Sequence, residues 1–197
     1  MALAVIYSRA RSGIDAPLVT VEVHVANGLP ALNIVGLPET AVKESKDRVR
    51  GAIQNCHFNF PAQRITVNLA PADLPKEGGR FDLAIALGIL AASGQIPCEN
   101  LERYECVGEL SLGGELRPII GVLPVAIRSR DCQRQLILPK ENTNEAALVK
   151  EIEILPAAHL LDVCRHLSGQ QPIATTYQRP QSIEIQHDID FSDVHGQ

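Results

Sequence analysis

Asn68-Leu69-Ala70-Pro71-Ala72-Asp73-Leu74-Pro75-Lys76-Glu77-Gly78-Gly79-Arg80-Phe81-Asp82-Leu83-Ala84 is the stretch on which the fold turns. It reads as the end of a strand, a proline-rich loop, a glycine pair and the start of an apolar helix. Ile65, Val67 and Leu69 share one face of a strand predicted over Arg64 to Leu69. Phe81 to Ala92 carries Asp82 as its only charged residue and is predicted as a buried helix, with Gly94 suited to its C-terminal cap. The Gly78-Gly79 pair permits a tight turn, and the loop can offer free amides near the helix start. From the residues alone two readings stand: a loop that contacts an anion or a substrate, and a plain strand-to-helix turn.

Upstream of this stretch the chain is strand-rich. Leu3 to Tyr7 is a short strand. Leu18 to Ala26 alternates, with Val19, Val21, Val23 and Val25 on one face and Thr20, Glu22 and His24 on the other. His24 is therefore read as exposed. Asn27-Gly28 is a turn signal, and Ala31 to Val35 returns as a third strand. A helix is predicted from Gly36-Leu37-Pro38-Glu39, with proline and an acid suited to its first turn. Val42, Ser45, Val49, Ala52, Ile53 and Cys56 form its apolar stripe.

Downstream, Cys106 to Leu112 and Glu115 to Arg117 are split by Gly113-Gly114 and read as a hairpin. Val122 to Arg130 is helical with Pro124 in its first turn, and Gln135 to Leu138 is a strand. Asn142 to Val149 is a short helix, Glu151 to Leu155 a strand, and Ala157 to Leu167 a final amphipathic helix. Beyond Gly169 the chain turns polar and aperiodic, so 168–197 is read as a linker or arm after a domain spanning 1–167. The whole is an α+β domain, a mixed β-sheet packed with helices.

Composition narrows the function. At 197 residues, 45% hydrophobic and 21% charged, the chain suits one globular domain. Its net charge of −5 argues against a dedicated nucleic-acid coat, which would be basic. Cys56, Cys98, Cys106, Cys132 and Cys164 are odd in number and contain no CxxC pair, so no zinc site is expected and a reducing, cytoplasmic setting fits. Cys56-His57 is read as a buried thiol at a helix end rather than a dyad. Leu83 to Ala92, the longest apolar run, is far below the ~20 residues that span a bilayer, and the amino terminus has no signal-peptide n-region. No membrane contact is expected. No glycine is followed by the Gly-Lys-Ser/Thr of a P-loop, and neither G-x-S-x-G nor HExxH occurs.

The opening segment resembles the Pro-Lys-Asp-Gly-Pro-Ser-Ala-Gly stretch of Lon-type Ser-Lys peptidases. Pro75-Lys76-Glu77-Gly78 matches its first four residues, but Arg80 falls where the serine nucleophile belongs. Gly108-Glu109-Leu110-Ser111-Leu112-Gly113-Gly114-Glu115-Leu116-Arg117-Pro118-Ile119-Ile120-Gly121-Val122-Leu123 resembles that family's hairpin and the segment ending in its general-base lysine, and Leu123 takes the lysine's place. The resemblance implies a Lon proteolytic-domain-like fold, of the small-ribosomal-subunit-protein domain-2 type, without catalytic residues, since a Ser-Lys mechanism needs both groups within hydrogen-bond reach. Ser111 and Lys76 are the nearest substitutes for a residual Ser-Lys-type peptidase.

A wider set of blocks is similar to the ComM/YifB group of Mg-chelatase-like AAA+ ATPases. They are Ala4 to Ala10, Gly13 to Ala16, Leu32 to Ser45, Arg48-Val49-Arg50, Asn68 to Asp73 and Gly79 to Leu83. Asp190-Phe191-Ser192-Asp193-Val194-His195-Gly196-Gln197 resembles the lead-in to the AAA+ module of that group. The resemblance implies that such a module lies beyond this chain and binds ATP and Mg2+. It implies a homo-hexamer that works on DNA as a branch-migration helicase in natural transformation, with these residues as a noncatalytic domain aiding ring assembly or DNA engagement. A chaperone-like, Mg-chelatase-related accessory role is the alternative. Lys43, Lys46, Arg50, Lys76 and Arg80 are the candidate contacts to nucleic acid or a partner. For the helix cations the competing reading is a self-compensated face among Glu39, Glu44 and Asp47. For Arg80 it is an internal ion pair with Glu77 or Asp82.

Overall fold

A computed structural model describes residues 2–36 and 40–176. The predicted helix start at 37–39, the side chains of Val42 and Lys43, and the tail from 177 onward lie outside the described residues.

Strands β1 (Ala2–Arg9), β2 (Leu18–Ala26), β3 (Ala31–Val35) and β4 (Arg64–Ala70) form the first half, with α1 (Thr40–Asn55) between β3 and β4. The chain continues through α2 (Asp82–Ala92), β5 (Tyr104–Cys106), β6 (Glu109–Leu110) and β7 (Leu116–Arg117). It ends in α3 (Val122–Asp131), β8 (Gln135–Pro139), α4 (Thr143–Ala146), β9 (Ile154–Ala157) and α5 (Leu160–Leu167). Seven strands make one sheet in the order β3-β4-β2-β1-β5-β8-β9, and β6 pairs with β7 separately. β1 and β4 both run antiparallel to β2. The β3–β4, β1–β5, β5–β8 and β8–β9 pairs are parallel. The sheet is mixed, as expected.

The period-2 pattern of β2 governs the packing. Val19, Val21, Val23 and Val25 are all buried, against α2 and the core. Thr20, Glu22 and His24 are half-buried on the other face, so His24 is less open than expected. α2 is buried over its whole length, as its lack of charge requires. It packs across β1 and β2 and against α1. Ser45, Val49, Ala52, Ile53 and Cys56 form the buried stripe of α1, as their helical spacing predicts. A second apolar cluster lies on the opposite face of the C-terminal strands. There Leu136, Leu138 and Ile154 meet Val122, Val125 and Ala126 of α3 and Ala146 of α4.

Several boundaries differ from expectation, among them the last strand, which runs Ile154–Ala157 where Glu151 to Leu155 is predicted. The strand predicted from Cys106 to Leu112 breaks at Val107-Gly108. Gly108 leaves the sheet, donates its N–H to the Arg80 carbonyl at 3.0 Å and accepts from Leu83 N at 3.1 Å. The last helix starts at Leu160 rather than Ala157, because His159 is extended and its Nδ1 accepts the Leu161 N–H as an N-cap. The 142–149 helix is a single turn with a 3-10 turn ahead of it.

A buried polar network joins the two halves. The Glu105 carboxylate, wholly buried, accepts from Arg9 Nε at 2.5 Å and Nη2 at 2.7 Å, from Ser129 Oγ at 2.5 Å and from Arg134 Nη1 at 3.1 Å. Arg9 also donates to the Ala16 carbonyl. Burial is the largest single influence on the Arg9 charge and opposes it, but the hydrogen bond and charge of Glu105, with Cys132 beside them, together outweigh it and raise its pKa.

Candidate functional site

The Gly78-Gly79 loop, the end of β1 and the segment between β7 and α3 enclose a cleft of about 290 Å³. Arg11, Glu77, Gly78, Gly79, Arg80 and Glu109 line one part of it, and Pro118, Ile119 and Ile120 the rest. The loop lies close to β6: a Cβ on Gly79 would sit 2.5 Å from a Glu109 carboxylate oxygen. A larger residue there would push the Glu109 side chain aside.

Arg80 stands at the start of α2 with its guanidinium turned inward. Nη2 donates to the Ile120 carbonyl at 2.6 Å and Nη1 to the Arg9 carbonyl at 3.5 Å. The side chain is 7% exposed. Burial first, then repulsion from Arg11, pull its pKa below the ordinary arginine value, while Glu77 acts the other way. An arginine nevertheless stays charged in a protein. The internal ion pair expected with Glu77 or Asp82 does not form. Asp82 bonds Arg48 Nε at 2.7 Å and the Leu110 N–H at 3.2 Å, and the Glu77 carboxylate lies 3.9 Å from Arg11. Burial raises the Asp82 pKa above the usual carboxylate range against the pull of Arg48.

The facing wall is held from behind. Asn142 clasps Ile119, accepting its N–H at 3.0 Å and donating to its carbonyl at 2.9 Å. Glu145 accepts from Val122 N at 2.9 Å and Leu123 N at 3.0 Å, so a carboxylate caps the positive end of α3. The Leu123 side chain is half-buried and packs on the second apolar cluster.

The remaining predicted contacts do not gather into one surface. Lys76 is fully buried and donates to the Gly36 carbonyl at 2.9 Å and to that of Pro71, so its charge faces the interior and not a partner. Burial lowers its pKa, with Asp73 opposing. Lys46 is half-buried on α1. Arg50 is exposed, with its guanidinium 4.6 Å over the Phe60 ring. Ser111, the possible substitute nucleophile, donates to Glu115 at 2.7 Å and accepts from Glu115 N, so it has no bond to Lys76. Cys56 is buried, which raises its pKa, and His57 is exposed. The imidazole near Cys56 is that of His159, from a distant part of the sequence, across Gly114. Among the described residues no group of three His, Cys, Asp or Glu side chains is placed to hold a metal, and no helix is long and apolar enough to cross a membrane.

Sequence reasoning missed Arg11 and the 118–120 wall. Arg11 sits in a polar turn without any motif. Pro118 to Ile120 drew attention only as part of the Lon-like segment, not as a surface.

The family model for subunit ChlI of Mg-chelatase matches residues 21–142. Competence protein ComM of Haemophilus influenzae is 51% identical over 201 aligned positions, covering all of this chain and 40% of its own length. The chain belongs to the ComM/YifB family of Mg-chelatase-like proteins. A YifB protein of Salmonella typhimurium is 48% identical over the whole chain and 39% of its own length. The chain thus spans about 40% of the length of these relatives. Lon protease 2 of Bacillus subtilis is 27% identical over 194 positions, covering 85% of the chain and 32% of its own length, and agrees with a Lon-like fold.

Proposed function

We propose that these residues form a noncatalytic Lon-like domain of a hexameric, ATP-driven DNA motor, and that the domain helps assemble or steady the ring. Arg80 carries the reading. At the position where the Lon resemblance puts a nucleophilic serine, a buried guanidinium ties the Arg9 carbonyl to that of Ile120. It has no nucleophilic oxygen, and Leu123, at the general-base position, has no lone pair with which to accept a proton. The name of the competence relative supports a role in competence, and the activity proposed here for the parent is that of a branch-migration helicase in natural transformation. ATP and Mg2+ belong to an AAA+ module of the parent, because these 197 residues contain no Gly-Lys-Ser/Thr P-loop. Ring assembly is favoured over direct DNA engagement by the net charge of −5 and by the inward-facing charge of Lys76.

The test compares the intact parent with a parent lacking residues 1–167. Loss of hexamer formation together with slower branch migration is expected, and unchanged behaviour in both assays overturns the proposal. Incubation of the chain with unfolded casein and a fluorophosphonate probe checks the noncatalytic part: neither cleavage nor labelling is expected, and labelling would return it to the peptidases. The Mg-chelatase match favours a second reading, a chaperone-like accessory domain serving metal insertion into a tetrapyrrole. Metal insertion lost on the same deletion, with branch migration intact, would select it.

A further inference from the structure

Around the cleft each other arginine has an acid beside it. Arg11 lies 3.9 Å from Glu77, Arg117 lies 3.8 Å from Glu109, and Arg48 lies 2.7 Å from Asp82. Arg80 has no carboxylate within ion-pair distance among the described residues, and its two hydrogen bonds go to carbonyl oxygens. A guanidinium carries five N–H donors in a rigid plane, so the two carbonyls leave three uncommitted. Carbonyls satisfy donors but return only part of what a buried full charge loses in leaving water. An anion entering the cleft restores the balance, and a neutral ligand does not.

The surroundings indicate which anion. Ile120 gives its carbonyl to Arg80 while its side chain is 77% exposed. An apolar contact therefore stands next to the cationic one. Glu77 and Glu109 flank the same space. A nucleic acid strand carries a phosphate on every nucleotide, so seating one on Arg80 would bring the negative charge of its neighbours toward these two carboxylates. A polypeptide can present a single carboxylate between apolar residues and offer its N–H groups to the flanking acids. About 290 Å³ suits one or two side chains. The wall is preset by Asn142 and Glu145, so little ordering is needed on binding.

We infer that the cleft between Gly78-Gly79-Arg80 and Pro118-Ile119-Ile120 is a docking pocket for one acidic side chain of a protein segment, its carboxylate on Arg80 and its apolar neighbour on Ile120. The inference rests on the noncatalytic reading and gives that site a ligand: a pocket without a nucleophile holds a chain instead of cutting it.

The experiment is a nuclear magnetic resonance titration of the 15N-labelled chain with acetyl-Leu-Glu-Leu-amide and, separately, with its isostere acetyl-Leu-Gln-Leu-amide. Inorganic phosphate and a short single-stranded DNA are titrated alongside. The expected result is saturable shifts at Gly78, Gly79, Arg80 and the Arg80 Nε–H with the glutamyl peptide. Binding should be about tenfold weaker for the glutaminyl peptide, the loss expected when one charged contact goes. Arg80→Met should weaken glutamyl binding about as much, and Arg80→Lys less. The peptide pair is compared on the unaltered chain, so the test stands even where Arg80→Met fails to fold. Equal binding of both peptides, no shifts in the loop, or stronger shifts from DNA or phosphate than from the glutamyl peptide overturn the inference. Absent peptide binding with no fluorophosphonate labelling removes the pocket's ligand alone, whereas labelling removes the noncatalytic reading beneath it.

Discussion

Arg80 and Glu105 show what one buried charge does in two settings. Glu105 is enclosed by Arg9, Ser129 and Arg134, and each contributes a charged or hydroxyl donor. Replacing it by alanine strands the Arg9 guanidinium, which is 3% exposed, without its anion. Loss of one partner from a buried pair costs about 3–5 kcal/mol. Glu105→Ala is therefore expected to lower the urea midpoint by that equivalent, and Glu105→Gln, which keeps two hydrogen-bonding atoms, by less. A loss for Glu105→Ala below ~1 kcal/mol, the scale of a surface ion pair, would refute the network as a stabilising link. Arg80 has no such anion, so its cost stands in the free protein. Its place at the head of the apolar helix was legible in the sequence. The destination of its guanidinium was not: both acids next to it in sequence, Glu77 and Asp82, were taken up by Arg11 and Arg48 from other parts of the chain.

At the scale of elements, α2 packs closely on β2. A Cβ on Gly88 would lie 2.4 Å from Val23 Cγ2, a methyl of a buried, β-branched residue in the middle of β2. The methyl cannot swing aside, because χ1 is stiff and the strand is enclosed. Alanine gains about 1 kcal/mol of helix propensity over glycine, while overpacking costs about 1–3 kcal/mol. Gly88→Ala should lower stability on balance, and Val23→Ala in the same chain should recover part of the loss. A stabilised single variant would show that the helix can shift.

The segment after α5 supplies a pH prediction. His166 Nδ1 accepts the Ile173 N–H at 3.0 Å, and Thr176 N donates to the Ile154 carbonyl at 3.1 Å, so the segment returns to the edge strand β9. Accepting at Nδ1 requires the neutral ring, and burial lowers the His166 pKa. The unfolded chain then binds a proton more readily than the folded one, so stability rises with pH through this window and falls as pH drops below about 6.5. Amide exchange at Ile173 should accelerate between neutral pH and pH 5.5 beyond the change at reference amides. His166→Asn, whose Oδ1 stands in for Nδ1, should remove the excess. An equal excess in the variant would place the titration elsewhere.

For the whole molecule, charge decides the expected partner. Of the five cations predicted as contacts, Lys76 and Arg80 are buried, Lys46 is half-buried and Arg50 is exposed. Even with Lys43 added, this set could neutralise two or three phosphates. Each contributes about −0.9 to the slope of log K against log salt, so a slope of about −2 to −3 is the most this set should give. With a net charge of −5, no duplex binding is expected at physiological salt. A fluorescence titration with a steeper slope would reveal a phosphate track across a different surface.

Local rules were enough for much of the architecture. Period-2 alternation found β2 and β4, helical spacing found the buried stripe of α1, and the missing charge found α2, because each pattern reports burial within one element. Other stretches, Pro75 to Arg80 and Gly108 to Leu123 among them, carried the Lon-like and ComM-like resemblances, and with them the replaced serine and lysine. Only the tertiary structure decided how the charges pair, that Lys76 turns inward, that Gly108 leaves the sheet to clasp α2, and that Arg80 faces a cleft without an acid of its own. Those outcomes depend on contacts between residues far apart in the chain, such as Arg9 with Glu105 and Arg80 with Ile120. An ion pair or hydrogen bond is fixed by distance in space, and no spacing along the sequence encodes it.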